Sequence, residues 1–404
     1  MPQPSFTEKR FVVTLIFVTS LFLLWGIAIT MGDTLNRHFQ NVLHVSLSQS
    51  GYVQFSIFGA YFVMAVPAGL FMKRWGYKNG VLLGLLLYAL GAFLFVPAAN
   101  AESFSFFRIA LFILACGLAT LETVAHPFVA SLGDQRTSDQ RINFAQTFNG
   151  AGAVIGPLLG GYFILRAGQN QANPLDSVKF LYTGIGLVIT LIALAFSFVK
   201  VPALTDPHRS TSLDGEHQEP KKLFGHRHFV WAVVAQFFNV AAQGGTWAYF
   251  INYGVRKIPG MTDEKAAYFF SLSMVMMLFG RFISTLLMRF LAPNKLLAFY
   301  AFMNIIMCLI VAQSWGYVSF IALIMINFFF SIMFPTIFSL GLKDLGKHIQ
   351  QASSFIVMGV VGGAVFPTLM GLVANHDVAA AYYLPIICYF VIFLFGYNFY
   401  KVRP

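Results

Sequence analysis

The sequence predicts an all-α membrane protein with twelve transmembrane helices in two six-helix halves. Three observations lead there. Hydrophobic residues make up 58% of the chain, charged residues only 10%, and the mean hydropathy is +0.72. A soluble domain carries about 25% charged residues. Apolar runs of spanning length, about 20 residues, recur from end to end. The one long polar stretch, residues 200–226, falls midway and divides the runs six and six.

The first span, 11–35, follows Lys9-Arg10. It is too long for a signal-peptide core and lacks a clear small-residue cleavage site, so it reads as a retained helix. Spans 49–73, 78–98, 104–132, 140–166 and 178–199 complete an N-terminal half, residues 1–199. A linker of residues 200–226 holds Asp206-Pro207-His208-Arg209 and the charged run from Asp214 to Lys222. Spans 227–255, 264–289, 294–313, 316–341, 350–374 and 381–400 form the C-terminal half, 227–404. Gly and Pro recur inside the spans, among them Gly59, Pro67, Gly150, Gly152, Gly156, Pro157, Gly362, Gly363 and Pro367. Small residues allow close helix approach and Pro bends helices, so packing and conformational movement are both open readings.

Basic residues give the orientation. With the N-terminus in the cytoplasm, eighteen of the 26 Lys and Arg fall on the cytoplasmic side, seven on the other, and Arg281 inside a helix. This bias puts both termini and the linker in the cytoplasm. The net charge of +11 therefore speaks of membrane lipid rather than nucleic acid. Cys116, Cys308 and Cys388 lie in apolar helical runs, as buried small hydrophobes do. No GxxxxGK[ST] loop is present, so ATP is not the expected driving force. No nucleophile–base pair or metal cluster stands out. The expectation is a monomeric secondary transporter, not an enzyme, with no cofactor.

Ionisable groups inside a bilayer are costly and mark function by default. Asp33 and Glu122 are the acids placed in spans. Asp33 lies toward the outer part of the first helix, where a water-exposed interfacial acid is an open alternative. Glu122 sits past the middle of the fourth span, with His126 one turn on as a possible ion-pair partner. Span five carries Gln146 and Asn149 on one face, and span seven carries Asn239, Gln243 and Trp247 at four-residue steps. Amides offer donors and an acceptor to a hydroxyl-rich ligand, and an indole offers an apolar platform. Interhelical bonding and an interfacial aromatic belt are the plainer readings. Arg281, in Gly280-Arg281-Phe282, needs a partner, water or a route to the interface.

Leu121-Glu122-Thr123 before Pro127-Phe128, and Ala145-Gln146-Thr147-Phe148-Asn149, resemble the fucose:proton symporter family of the major facilitator superfamily. So do Tyr88-Ala89-Leu90-Gly91-Ala92, Ile258-Pro259-Gly260-Met261-Thr262, Pro335 to Gly341 and Ser353 to Met358, in the same order. The resemblance implies two halves rocking about a midplane site in a bacterial inner membrane, importing a neutral sugar with a proton. It implies proton uptake at Asp33, sugar recognition and coupling at Glu122, and a cavity lined by Gln146, Asn149, Trp247 and Arg281. The sequence departs from the family pattern at Ile29 and Thr30 for asparagines, His126 for an asparagine, and Phe334 for a cavity tyrosine. Those changes alter polar sugar contacts while keeping a hexose-like ligand. Lys73 stands in the loop Gly69 to Lys78 where the superfamily usually has an acid. Sodium coupling, as in glucose/galactose members, and export of hydrophobic compounds past a lining rich in the 46 Phe are the alternatives.

Overall fold

The computed structural model describes residues 6–133, 138–166, 173–199, 223–288, 290–345 and 349–402. Most of the expected linker lies outside them, as do the side chains of Lys73, Asn143, Ser353 and Ser354. Among the described residues there is helix and no strand.

Helix occupies all twelve expected spans. α1 is Val12–Val42. α2 and α3 are two parts of Tyr52–Phe93, divided at Gly76, whose φ of 82° and ψ of 171° are non-helical. α4 is Phe104–Ser131, α5 Ser138–Leu159 and α6 Leu175–Phe198. α7 is Arg227–Ala248, followed by the short helix Phe250–Lys257. α8 is Asp263–Leu287 and α9 Pro293–Ala312. α10 is Tyr317–Phe330, continued by Met333–Gly341. α11 is Ile349–Met358, continued by Gly362–Ala374, and α12 is Leu384–Leu394.

Among the described residues eleven spans are long and apolar enough to cross a membrane; α7, though 22 residues long, is not among them. Its polar set explains this: Gln236, Asn239 and Gln243 lower its hydropathy, and the first two are fully buried. Burial in protein rather than lipid is what a helix with such amides needs. At 31 residues, about 46 Å, α1 outlasts its expected end at 35.

Packing divides the chain into two compact units. The first is Met1–Met31, Gly59–Leu159 and Ala167–Glu216; the second is Gly32–Phe58, Gly160–Arg166 and His217–Pro404. In the first unit α1 crosses α5 at backbone contact, since a Cβ on Gly152 would collide with the Leu23 carbonyl. Phe95, which opens the short helix Phe95–Asn100 after α3, stacks on Tyr182 of α6 at 3.7 Å. Lys78 Nζ donates to the Ser197 and Val199 carbonyls at 2.6 and 2.8 Å. A cation there satisfies the open C-terminus of α6.

In the second unit α7 is central, packing on α11, α12 and the continuation of α10. Its contact with α11 is again backbone to backbone, because a Cβ on Gly362 would meet the Phe237 carbonyl. The far end of α1, the start of α2 and the π-helical turns Gly160–Arg166 that follow α5 belong to this unit. Leu165 packs there with Ile251, Ala266 and Ala267. The Tyr249 hydroxyl lies 2.8 Å from the Leu47 carbonyl and 2.7 Å from that of Pro367. Cys308 and Cys388 are buried and Cys116 half-buried, all as free thiols.

Candidate functional site

The first unit holds Glu122, His126, Gln146 and Asn149, all half-buried. On α4 the neighbouring threonines are spent on their own helix. Thr120 and Thr123 donate to the Cys116 and Ala119 carbonyls. Glu122 and His126 are left to face outward from the helix. The Tyr61 hydroxyl hydrogen-bonds the Glu122 carboxyl, and the Trp25 indole N–H donates to that same hydroxyl. A tyrosine that accepts from an indole keeps its own proton for the carboxylate, so the two aromatics form a directed chain of donors ending on Glu122.

His126 does not ion-pair with the Glu122 side chain, as its spacing had suggested. Its Nδ1 lies 2.9 Å from the main-chain carbonyl of Glu122, because a ring four residues on folds back along the helix. Its Nε2 lies 2.8 Å from Gln146 Nε2. Phe22 meets the ring edge-on at 5.0 Å. Asn149 Nδ2 donates to the Phe22 carbonyl at 3.3 Å. The structure thus links Gln146 to His126 and sets Asn149 against α1.

Asp33 lies in the second unit, nine residues before the end of α1 and 2% exposed. The exposed interfacial reading is therefore removed. Its Oδ1 accepts from Gln54 Nε2 at 2.5 Å, and no cation pairs with it among the described residues. Thr34 beside it is fully buried with no bond to its hydroxyl. One turn further, Arg37 Nε pairs with Asp263 Oδ1 at 2.7 Å, with side chains only 13% and 10% exposed. Arg37 Nη1 reaches Asn252 Oδ1 at 2.9 Å, and Asn41 Nδ2 donates to Asp263 Oδ2 at 2.6 Å. Asn36 Nδ2 donates to the Ala248 carbonyl at 2.9 Å. Neutral amides satisfy the remaining valences of a buried ion pair, which is the condition under which one persists.

On α7, Trp247 is buried and its indole donates to Asn327 Oδ1 at 2.8 Å; Asn327 Nδ2 in turn donates to Ser273 Oγ at 2.7 Å. Gln243 is half-buried, while Asn239 is fully buried with both amide atoms unbonded. Arg281, half-buried, has Nε at 3.3 Å from the Ser331 carbonyl. Phe334 packs on the Phe58, Val240 and Ala364 cluster.

Sequence reasoning missed Tyr61, Trp25, Gln54, Asn327 and the Arg37–Asp263 pair. The aromatics were hidden among many aromatics in spans. Asp263 lies just before the expected eighth span, outside the acids placed in spans, and its pairing with Arg37 is non-local. No group of three His, Cys, Asp or Glu able to hold a metal ion occurs among the described residues.

The profile described as Major Facilitator Superfamily matches residues 10–367. The chain is 39% identical to the L-fucose-proton symporter of Escherichia coli (strain K12), covering 96% of this chain and 93% of that one. It is 34% identical to the glucose/galactose transporter of Brucella abortus biovar 1 (strain 9-941), over 96% and 95%. Among solved structures it matches a Major Facilitator Superfamily transporter, FucP, in the outward conformation, with 37% identity, a TM-score of 0.69 and coverage of 98% and 100%.

Proposed function

The chain belongs to the Major Facilitator Superfamily, and on that footing we propose that it is a proton-coupled symporter importing a neutral hexose-like sugar by alternating access. The observation that carries the coupling is Asp33: a buried carboxyl inside a spanning helix whose one polar partner shown is an amide N–H. A charged carboxylate resists losing water, so closure favours its neutral form, and opening to the other side releases the proton. Gln54 binds Oδ1 in either state, which leaves Oδ2 to take and give the proton. A sodium site needs several oxygens, and an N–H facing the carboxylate disfavours one. Both kinds of curated relative carry sugars by name, one with a proton.

Glu122, Gln146 and Asn149 are assigned to the sugar from the first half, and Gln243 with Trp247 from the second. Arg281, Asn239 and Phe334 are assigned to the same sugar-binding set. With the termini and the linker in the cytoplasm, the end of α1 beyond Gly32 faces outward. The Arg37–Asp263 pair is then an outer latch that ties the end of α1 to the start of α8. Gradient-driven sugar uptake in proteoliposomes tests the reading. L-Fucose, D-galactose and D-glucose are offered with an imposed proton or sodium gradient. Accumulation of one sugar under the proton gradient alone is expected. Accumulation under sodium alone would replace the coupling ion, and no accumulation of any sugar under either would overturn the function.

A further inference from the structure

Gln146 has an amide whose two ends differ: Nε2 donates and Oε1 accepts. Which end meets a ligand depends on what holds the other. Nε2 lies 2.8 Å from His126 Nε2. An amide nitrogen has no lone pair to offer, so the ring nitrogen must accept, and it carries no hydrogen. The ring hydrogen is then on Nδ1, which lies 2.9 Å from a carbonyl oxygen that only accepts. The two contacts thus require the same tautomer from opposite sides of the ring. Phe22, edge-on at 81°, holds the plane.

The consequence reaches beyond one residue. Gln146 Oε1 has no protein partner among the described residues. Asn149 is tethered alike, through Nδ2 to the Phe22 carbonyl, which leaves its Oδ1. Glu122, when ionised, offers only oxygens. The first unit therefore presents three acceptor groups, and His126 fixes the one that is otherwise free to turn around.

We propose that His126 is a positioning residue that locks Gln146 with its carbonyl toward the sugar, so that this side of the site selects a donating hydroxyl. The inference rests on the sugar-symport reading above. A hydroxyl read here is recognised by its hydrogen. An analogue with fluorine in its place accepts but cannot donate, and is refused as firmly as one with nothing there.

The test measures binding of L-fucose, D-galactose and D-glucose, with their monodeoxy and monofluoro analogues, to the purified protein and to His126→Leu. At one ring position the deoxy and fluoro analogues should lose affinity equally in the unmodified protein, by about tenfold, which is about 1.4 kcal/mol. In His126→Leu the freed amide turns its N–H to the fluorine. The fluoro analogue should then regain about threefold over the deoxy analogue. A fluoro analogue that outbinds the deoxy one at every position in the unmodified protein would overturn the proposal. So would a ratio unmoved by the substitution.

A second readout needs no sugar. In selectively 15N-histidine-labelled protein, the resonances lost in His126→Leu should report hydrogen on Nδ1 and a bare Nε2; the reverse tautomer or an imidazolium overturns the inference. If no sugar binds the unmodified protein, the transport reading falls while the tautomer still decides the role of His126. Where His126→Leu does not fold, His126→Phe serves for both comparisons.

Discussion

Asp33 and Glu122 are both carboxyls within spanning helices, yet their surroundings are opposite. Asp33 is sealed in the second unit behind one amide, with the latch of Arg37, Asp263 and their asparagines a turn away. Glu122 is half-buried in the first unit, at the end of a chain of aromatic donors. One acid is kept from water and the other is within reach of a solute. The same residue type therefore suits two tasks: gaining or losing a proton as a compartment opens, and gripping a ligand with a carboxylate already held in place.

The largest effect that divides them is on coupling. Asp33→Asn should abolish concentrative, pH-driven uptake while sugar exchange down its own gradient persists. Uphill uptake by this variant, measured in proteoliposomes, would erase the distinction between the two acids. Next comes the latch. Removing one charge of a buried pair costs about 3–5 kcal/mol, so Asp263→Asn should strongly loosen the end of α1 from the start of α8. The reporter is Thr34→Cys, fully buried here, in a background with Cys116, Cys308 and Cys388 changed to Ala. Its labelling by an impermeant maleimide should rise sharply in Asp263→Asn. Unchanged labelling would mean that other contacts keep the end of α1 sealed.

Glu122→Gln should weaken sugar binding by about tenfold, near 1.4 kcal/mol. Tyr61→Phe should do so by about 1 kcal/mol, the worth of one hydrogen bond to the carboxyl. Equilibrium binding checks both, and a larger effect of Tyr61→Phe than of Glu122→Gln would deny that the tyrosine acts through the acid. The smallest effect belongs to a more exposed pair. Lys257 Nζ lies 2.8 Å from Asp377 Oδ1, and that bond holds the Asp377 carboxyl below the usual carboxylate range. Its stabilisation is present above the ordinary aspartate value of about 3.9 and is lost as pH falls through the lowered one. With the acid's side chain 46% exposed, Asp377→Asn should cost at most about 1 kcal/mol at neutral pH. The difference should shrink in acid, as thermal unfolding in detergent would show. An effect as large as that of Asp263→Asn would mean that burial is not what separates the two ion pairs.

Much of the candidate site was legible because bilayer depth makes rare residues conspicuous. Glu122 and the Gln146–Asn149 face stood out as polar groups at helical spacing in apolar runs. Asp33 was ambiguous because it falls two residues before the expected end of the first span at 35; α1 runs on to Val42, which puts the acid inside. The bond from Gln54 to Asp33 spans 21 residues and joins two helices, so no local pattern announces it. His126 misled for a related reason. Four-residue spacing brought its ring to the Glu122 carbonyl rather than to the carboxyl, a choice that rotamer and neighbours make.

By itself the sequence determined the solvent, the number of spans and the residues able to carry charge or hydrogen bonds in the membrane. Hydropathy and helical periodicity are local properties, and the bilayer leaves the backbone few alternatives to helix. Only the tertiary structure decided which polar groups face each other. It sealed Asp33 behind Gln54, closed Asp263 onto Arg37, and aimed the Trp25–Tyr61 chain at Glu122. Those outcomes depend on how helices cross, and crossings are set by packing between segments far apart in the chain.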